Sequence, residues 1–357
     1  MNTPRIASLL GLALLAGAAS AQEVTLFGIA DAAFRHVDNQ GRGSVNSVVS
    51  GSNSTSRLGL RGREDLGGGL WAGFHLEHGL LLDTGTPASA TQFWDRRSTV
   101  SVGDARWGEI RIGRDFVPSY TNWSRYDPFS YVGVGGANNF VSATPAGPIR
   151  SAFGTSPNTT VRSSNSVQWV MPSGWGGLEG EVMWAAREGG TAANGQHDLR
   201  GLRVGYATKA WGVSAASTRS TNDLTTTGAF NDSAVGGNVD LGVVRLSAVL
   251  RRFSQNAARQ NHLLVGARVP MGVGEIKLSY HRVDLSGRVG TTAIDGNDAR
   301  QLALGYVYNL SKRSALYATL SRIDNSGGAT FVVPGGPTGL AGGASSTGTE
   351  FGVRHNF

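Results

Sequence analysis

The sequence predicts an all-β protein: a transmembrane antiparallel β-barrel of about 16 strands, with short turns at one end and long loops at the other. Segments of roughly ten residues alternate apolar and polar side chains, which is the period of a strand. Short and long connections alternate between these segments along the whole chain. The 357 residues include 52 glycines and 11 prolines, a composition that fits strands joined by tight turns.

The N-terminal segment is predicted to be a signal peptide covering residues 1–21. Arg5 is its only charged residue, an apolar run follows from Ile6 to Ala18, and Ala19-Ser20-Ala21 has the small-x-small pattern of a cleavage site. The mature domain is therefore expected to be 22–357. Beyond the leader, no run of about 18 apolar residues occurs, which excludes helical membrane spans. The chain has no cysteine, so an exported form does not depend on disulfides.

The charge balance is positive. The formal net charge is +7, and removal of Arg5 lowers it to +6. A positive excess favours anionic partners and says little about fold. Nucleic acid is not expected as a partner, because the basic residues alternate into the predicted barrel and form no exposed stripe.

The alternation predicts which face of each strand contacts lipid. Polar residues on the opposite faces require water, so the interior is expected to be a wet channel and not a packed core. A soluble β-sandwich would show the same alternation, but the loop rhythm, the regular strand length and the terminal Phe357 favour the barrel. The lipid-facing sets include Leu202, Val204 and Tyr206; Leu246, Ala248 and Leu250; Leu263, Val265 and Ala267; and Leu302, Leu304 and Tyr306. The inward set comprises Arg203, Arg245, Arg251, Arg268, Lys277, His281 and Gln301.

Glycine- and proline-containing segments predict the connections. Short turns are expected at 66–69, 103–108, 172–177, 209–212, 270–274 and 310–314. Longer polar connections are expected at 39–56, 79–92, 187–198, 221–232, 255–260, 284–298 and 324–349.

The longest connection runs from Asp115 to Thr160. It contains five prolines and a cluster of aromatic residues between Phe116 and Tyr131. An ordered loop of this length is usually functional, and disordered segments are poor in aromatics. We therefore expect the loop to fold into the barrel and narrow it, although the pattern also permits a long surface loop.

The chain resembles the general diffusion porins of Gram-negative bacteria, most closely the trimeric porins typical of the β-proteobacteria. The resemblance covers essentially all of the mature chain. The segments that carry it are Val24–Asp31, Ser56–Gly67, Gly113-Arg114, Leu310–Tyr317 and Glu350–Phe357.

This resemblance implies a sixteen-stranded barrel in the outer membrane of a Gram-negative bacterium, in contact with lipid and lipopolysaccharide. It implies a homotrimer whose first strands and second loop form the subunit contacts, and a terminal Phe357 that is presented to the barrel-assembly machinery. The implied function is passive diffusion of small hydrophilic solutes and ions, without a cofactor or a metal.

The resemblance also implies a constriction between the inward-folded loop and a basic wall. The loop residues Asp115, Arg125 and Asp127 belong to this constriction, and with Arg150 they leave the loop formally neutral. Unopposed arginines raise the local anion concentration, so we expect anion preference. The residues carried to the basic side are Arg57 and Arg61, Arg162, and Arg96 or Arg97, of which alternation with Val100 and Val102 favours Arg97, while a bulge would reverse that choice.

Other functions have weaker support. A general pore and a channel selective for carboxylates or phosphates are not separated by the sequence. An outer-membrane barrel enzyme would require a catalytic set at the rim, and none stands out. His75 and His78 are three residues apart on a strand, which places them on opposite faces and makes a shared metal site poor.

Overall fold

The computed structural model describes residues 23–141, 145–155, 160–192 and 195–357, so the predicted signal peptide lies outside the described residues. The described chain is dominated by β-strands. They are β1 (Glu23–Asn39), β2 (Gly43–Ser50), β3 (Arg57–Gly67), β4 (Leu70–Leu81), β5 (Thr86–Pro87), β6 (Arg97–Asp104), β7 (Gly108–Phe116), β8 (Arg162–Val170), β9 (Leu178–Ala185), β10 (Asp198–Ala207), β11 (Trp211–Thr221), β12 (Phe230–Asp240), β13 (Arg245–Gln255), β14 (Ala258–Met271), β15 (Gly274–Ser286), β16 (Arg288–Val289), β17 (Thr292–Ala293), β18 (Ala299–Asn309), β19 (Ser314–Asn325) and β20 (Ser346–Asn356).

The sheet closes on itself through β1. One edge of β1 pairs with β20, from Ile29 opposite Asn356 to Asn39 opposite Ser346. The other edge of β1 pairs with two strands in turn. Residues 32–39 of β1 pair with β2, and residues 23–29 pair with β3, so β2 and β3 together form one strand position of the barrel. With these two counted together and the two-residue strands β5, β16 and β17 set aside, the barrel has sixteen antiparallel positions. The predicted fold class is confirmed.

The helices of the described chain all lie in the connection between β7 and β8. They are α1 (Pro118–Ser124), α2 (Pro148–Phe153) and a short 3₁₀ turn (Ala137–Phe140). Both α-helices begin with proline, which suits the first helical position because the N–H there has no intrahelical partner. Within the described residues, none of these helices is long and apolar enough to cross a bilayer.

The outer face of the barrel is apolar, as the alternation predicts. On β18, Leu302 is 61% exposed on the outside of this single chain, whereas the adjacent Gln301 is fully buried inside. The predicted lipid-facing and inward-facing sets on β10, β13, β14, β15 and β18 lie on the expected faces.

The two ends of the barrel differ as expected. At the turn end, β3 and β4 are joined through Gly67, Gly68 and Gly69, all at positive φ, which glycine adopts without steric cost. The C-terminus lies at this end as well, where Phe357 and Gly28 each donate a backbone hydrogen bond to the other (3.1 and 3.0 Å). The last residue thus completes the closure of the sheet.

Two predicted loops are shorter than expected. Residues 39–56 were predicted to be a loop, but they contain β2, which pairs with β1 along Gly43–Ser50. The segment 255–260 is mostly strand, since β13 ends at Gln255 and β14 begins at Ala258. Both pairings extend the sheet through main-chain hydrogen bonds, and neither segment has a strict apolar–polar alternation that would mark it as a strand.

The barrel interior is partly packed, so the prediction of a wholly wet interior is wrong. One buried apolar cluster joins the β7–β8 connection to β12, β13 and β14. A second cluster joins the same connection to β15, β18, β19 and the connection between β19 and β20. Water-filled space is therefore confined to the remaining part of the cross-section.

Candidate pore constriction

The connection from 117 to 161, here called the constriction loop, folds into the barrel as predicted. After β7 it forms α1, which packs against β10, β11 and β12 on the far side of the lumen. The Tyr126 hydroxyl lies 2.6 Å from Ser214 Oγ on β11. Further along, the Val134 N–H donates to Glu350 Oε1 on β20 (3.3 Å). The loop therefore follows the inner wall from β7 round to β20.

Inward-facing glycines make room for this path. A Cβ added at any of five such glycines would lie 2.4 to 3.1 Å from a loop side chain, closer than an ordinary van der Waals contact. Their positions trace the loop from strand to strand. The pairs are Pro118 over Gly201, Tyr126 over Gly236, Pro128 over Gly266, Phe129 over Gly305 and Val134 over Gly348.

We call the inner faces of β10 to β15, together with the loop that covers them, the packed wall. Its centre is Trp123, which is fully buried. The Arg251 guanidinium lies 5.3 Å from the Trp123 ring and is held by Asp232 at 2.6 Å. A cation and its counter-ion are thus enclosed within the aromatic cluster, and neither group is available to a passing ion.

Asp127 holds the tip of the constriction loop. Its carboxylate is 1% exposed and accepts hydrogen bonds from the N–H groups of Phe129, Tyr131 and Ala137, each at 2.9 Å. Burial raises the pKa of the Asp127 carboxyl, and the three donated hydrogen bonds act in the opposite direction. Asp127 therefore shapes the loop and does not line the passage, contrary to the predicted role.

Opposite the loop lies the basic wall, which consists of inward arginines on β3, β6, β7 and β8, Arg96 just before β6, and the acidic side chains that pair with them. Glu77 of β4 is at its centre and receives Arg57 Nη1 at 3.3 Å, together with a short contact from Arg96 Nε. His75 Nε2 lies 3.7 Å from the same carboxylate. Two guanidinium groups therefore share one carboxylate.

Both Arg96 and Arg97 point inward. Arg97 is the first residue of β6 and lies opposite Glu77, as alternation predicted. Arg96 precedes the strand, so the alternation of β6 does not constrain it, and its N–H donates to the Glu77 carbonyl at 3.2 Å. Both arginines therefore belong to the basic wall, and not only one of them.

Asp115 was predicted to begin the loop but lies near the end of β7, just before the constriction loop, and it meets two arginines. Its Oδ2 atom is 3.2 Å from Arg97 Nη2 and 3.5 Å from Arg111 Nη1. Arg111 also pairs with Glu109 at 2.7 Å. Asp115 thus partly neutralises the basic wall from the loop side.

Arg162 and Arg61 have no carboxylate within ion-pair distance among the described residues. Arg162 Nε donates to the Arg96 carbonyl at 2.9 Å, and its guanidinium lies 4.5 Å from the Phe116 ring. The Arg61 guanidinium lies 5.4 Å from the Phe27 ring and lines a cavity of about 660 Å³ at the turn end. No described carboxylate offsets the positive charge of these two arginines, so this charge acts on ions in the lumen.

Arg125 lies away from this group. Its guanidinium makes a short contact with Glu179 of β9, which also receives Arg203 Nη1 at 3.3 Å. Three members of the basic wall were not predicted from the sequence: Glu77, Glu109 and Arg111. The signal was available for each of them, because Glu109 and Arg111 alternate with apolar Ile110, and Glu77 shares its face with His75.

The histidines offer no metal centre. His75 faces the lumen beside Glu77. His78 is on the opposite face of β4, where its ring stacks on Phe93 with ring centroids 4.4 Å apart. The expected separation of this pair is confirmed. The described residues contain no group of three or more metal-ligating side chains that could hold an ion.

Comparisons with known proteins agree with this geometry. A family model described as Gram-negative porin matches residues 7–328. The outer membrane porin protein 32 of Delftia acidovorans is 37% identical, with 98% of this chain and 99% of that protein covered. An outer membrane porin protein of Bordetella pertussis is 28% identical over the same shares of the two chains.

Solved structures show the same similarity. An anion-selective porin from Comamonas acidovorans superimposes with a TM-score of 0.80 and 34% identity, over 94% of this chain and all of that chain. OmpT of Vibrio cholerae in its trimer form gives a TM-score of 0.64 at 15% identity, over 95% of this chain and all of that one, which is a likeness of fold alone. The chain therefore belongs to the Gram-negative porins, and it is a diffusion channel of the outer membrane.

Proposed function

We propose that the channel prefers anions, and that the selective element is the passage between the basic wall and the constriction loop. The observation that carries this proposal is the incomplete pairing of the arginines. Arg57 and Arg96 share the single carboxylate of Glu77, and Arg162 has no ion-pair partner among the described residues. The passage therefore has an excess of fixed positive charge.

Fixed charge in a narrow wet passage acts directly on ions. Two unit charges about 4 Å apart interact by about 1 kcal/mol in bulk water and by about 4 kcal/mol near a protein surface. An excess guanidinium therefore concentrates anions and repels cations. Arginine suits this role because its charge does not titrate in the physiological range.

The relatives support the same proposal. The Comamonas acidovorans structure that covers 94% of this chain is described as an anion-selective porin. Its selectivity belongs to that protein, but the 34% identity and the high structural similarity make the same preference the first hypothesis here.

The test is the zero-current potential of the purified protein in a planar bilayer under a KCl gradient. We expect a chloride preference that becomes smaller in Arg57→Ser and in Arg162→Ser, because each change removes one positive charge from the passage. Arg313→Ser is the matched control, since Arg313 lies exposed in the turn after β18. Cation preference in the unmodified protein would contradict the proposal.

Assembly is a second part of the proposal. We infer a homotrimer, with Phe357 recognised by the barrel-assembly machinery and the apolar outer band in contact with lipid and lipopolysaccharide. Phe93 lies in the second loop, which connects β4 to β6. It is 65% exposed, and an exposed apolar ring on a polar segment suits a subunit contact. Phe93→Asp is expected to convert trimers to monomers in native electrophoresis, whereas an unchanged trimer would remove Phe93 from the contact.

Processing is the third part. Residues 1–21 are proposed to be removed on export. N-terminal sequencing of the protein from outer membranes is expected to begin at Gln22, and a chain that begins at Met1 would contradict this.

A further inference from the structure

A second basic cluster lies at the turn end of the barrel, on strands that do not belong to the basic wall. Arg268 of β14, Lys277 of β15 and Arg354 of β20 line one cavity of about 430 Å³. Ser130 of the constriction loop lines it from the loop side, and Ser54 lines it from the segment between β2 and β3. None of the three cations belongs to the predicted constriction.

Two of the cations face each other directly. In the register of β14 and β15, Arg268 is the cross-strand partner of Lys277. Like charges in that position destabilise a sheet unless something offsets them. The neighbouring pair Arg245 and Arg268 repeats the arrangement between β13 and β14, but there Asp240 lies 2.7 Å from Arg245 and supplies the counter-charge.

No described carboxylate forms an ion pair with these cations. Asp31 is the cross-strand partner of Arg354, but its carboxylate accepts hydrogen bonds from three backbone N–H groups between β2 and β3. Arg268 donates to the Pro128 carbonyl at 2.9 Å, and Arg354 donates to Asn53 Oδ1 at 2.6 Å, so both acceptors are uncharged. Lys277 is 7% exposed, and its side-chain ammonium group has neither a hydrogen bond nor an ion pair with any described residue.

The acidic groups near the cluster are occupied or distant. Glu275 lines the same cavity, but among the described residues it forms no ion pair within 4 Å with any of the three cations. The Asp127 carboxylate behind the loop is already bound by three backbone N–H groups. With Glu275 included, the cavity has two more positive than negative charges.

We propose that Arg268, Lys277 and Arg354 form a second binding subsite for small polyvalent oxyanions, on the turn side of the constriction loop. The guanidinium groups can bind two oxygen atoms of one anion at once, and the ammonium group supplies a compact point charge. Inorganic phosphate or a small dicarboxylate has the oxygen atoms and the charge to link groups on different strands.

The subsite is continuous with the basic wall. Ser54, which lines the subsite, accepts a hydrogen bond from Arg57 Nη2 at 3.1 Å. An anion that leaves the constriction therefore meets a second set of cations before it leaves the barrel. Two successive sites of moderate affinity allow conduction, because binding at neither site traps the ion. This inference rests on the proposed anion preference and specifies the class of anion.

The test is the block of chloride current by inorganic phosphate in a planar bilayer. Phosphate is titrated at constant KCl for the unmodified protein, for Lys277→Gln and for Arg354→Gln. The half-blocking phosphate concentration is expected to rise at least about fivefold in each variant, as loss of one charge-assisted contact does. Lys312→Gln is the matched control, because Lys312 lies exposed in the turn between β18 and β19.

The outcomes separate this inference from the proposed function. If chloride preference is present but phosphate block is absent, or is equal in all variants, the subsite is wrong and the anion preference stands. If the block is lost in Arg162→Ser and kept in both subsite variants, phosphate binds at the basic wall and the inference is overturned. Cation preference of the unmodified protein overturns the proposed function itself. If Lys277→Gln does not fold, the phosphate block measured in Arg354→Gln decides whether the subsite exists.

Discussion

The basic wall and the packed wall are built from the same alternating strands, yet their inner faces differ in kind. The inner face of β3 presents Arg57 and Arg61, whose long charged side chains reach into water. The inner face of β12 presents Ala234 and Gly236, which are covered by the constriction loop. A barrel of this size has more interior than a narrow pore requires, and the loop fills the difference on one side.

This difference separates stability from selectivity. On the packed wall several inward residues are small, among them Ala234 and Gly236, so that aromatic loop residues can reach the strands and bury apolar area. On the basic wall the inward residues are long and only partly paired, so they contribute charge to the passage and little buried apolar area. Substitutions on the two walls are therefore expected to affect different measurements.

The largest effect is expected from Trp123→Ala on the packed wall. Removal of a fully buried aromatic side chain costs about 3–5 kcal/mol in soluble proteins. We expect a clear fall in the temperature at which the barrel loses its fast, folded migration in mild detergent gels. Arg162→Ser is the counterpart on the basic wall and should leave this temperature nearly unchanged while it lowers chloride preference. If Trp123→Ala and Arg162→Ser lowered the unfolding temperature equally, the two walls would not differ in their contribution to stability.

A smaller effect is expected from Gly236→Ala. The added Cβ would lie 2.6 Å from Tyr126 Cδ2 and 2.9 Å from Val249 Cβ, so the loop must move away from β12. Overpacking of this kind costs about 1–3 kcal/mol, and the displaced loop should narrow the passage and lower single-channel conductance. In the control Gly174→Ala the added Cβ meets no atom within 4 Å. Unchanged conductance in Gly236→Ala would show that glycine at this position does not position the loop.

Two acidic residues, Asp127 in the constriction loop and Asp115 just before it, provide a third comparison. Asp127→Asn weakens three hydrogen bonds within the loop and should cost about 1–2 kcal/mol, with little change in selectivity because the carboxylate is buried. Asp115→Asn removes a carboxylate shared by Arg97 and Arg111 and should increase chloride preference. Zero-current potentials and thermal scans of both variants measure the two effects. A larger gain in chloride preference from Asp127→Asn would place Asp127 in the passage after all.

The smallest effect is expected from salt. The Debye length falls from about 10 Å at 0.1 M to about 3 Å at 1 M ionic strength, so the field of the basic wall reaches less of the passage. At a fixed concentration ratio, the zero-current potential should become smaller as the mean KCl concentration rises. The unfolding temperature should change little, because apolar packing dominates the other wall. A potential independent of salt would argue that pore shape, and not charge, sets the selectivity.

Much of the fold could be predicted from the sequence because lipid imposes a strict rule on each strand. Side chains of one parity must be apolar, as Leu302 and Leu304 are, so strand faces and the inward-folded loop were predicted correctly. The pairing of β2 with β1 was missed, because it depends on main-chain hydrogen bonds and leaves no pattern in the side chains.

The charges of the passage were predicted less completely. Strand parity places Arg57 and Arg97 inside, but it cannot place Arg96, which precedes its strand. Parity also cannot tell which carboxylate meets which guanidinium, since Glu77 and Asp115 pair with arginines from neighbouring parts of the barrel.

The sequence by itself determined the barrel, the lipid-facing set and the position of the constriction loop, because each follows from a local pattern repeated along the chain. The tertiary structure alone decided that Asp127 is enclosed by backbone donors, that five glycines seat the loop, and that Lys277 faces Arg268 without a counter-ion among the described residues. These features depend on residues far apart in the chain, and only closure of the barrel brings them together.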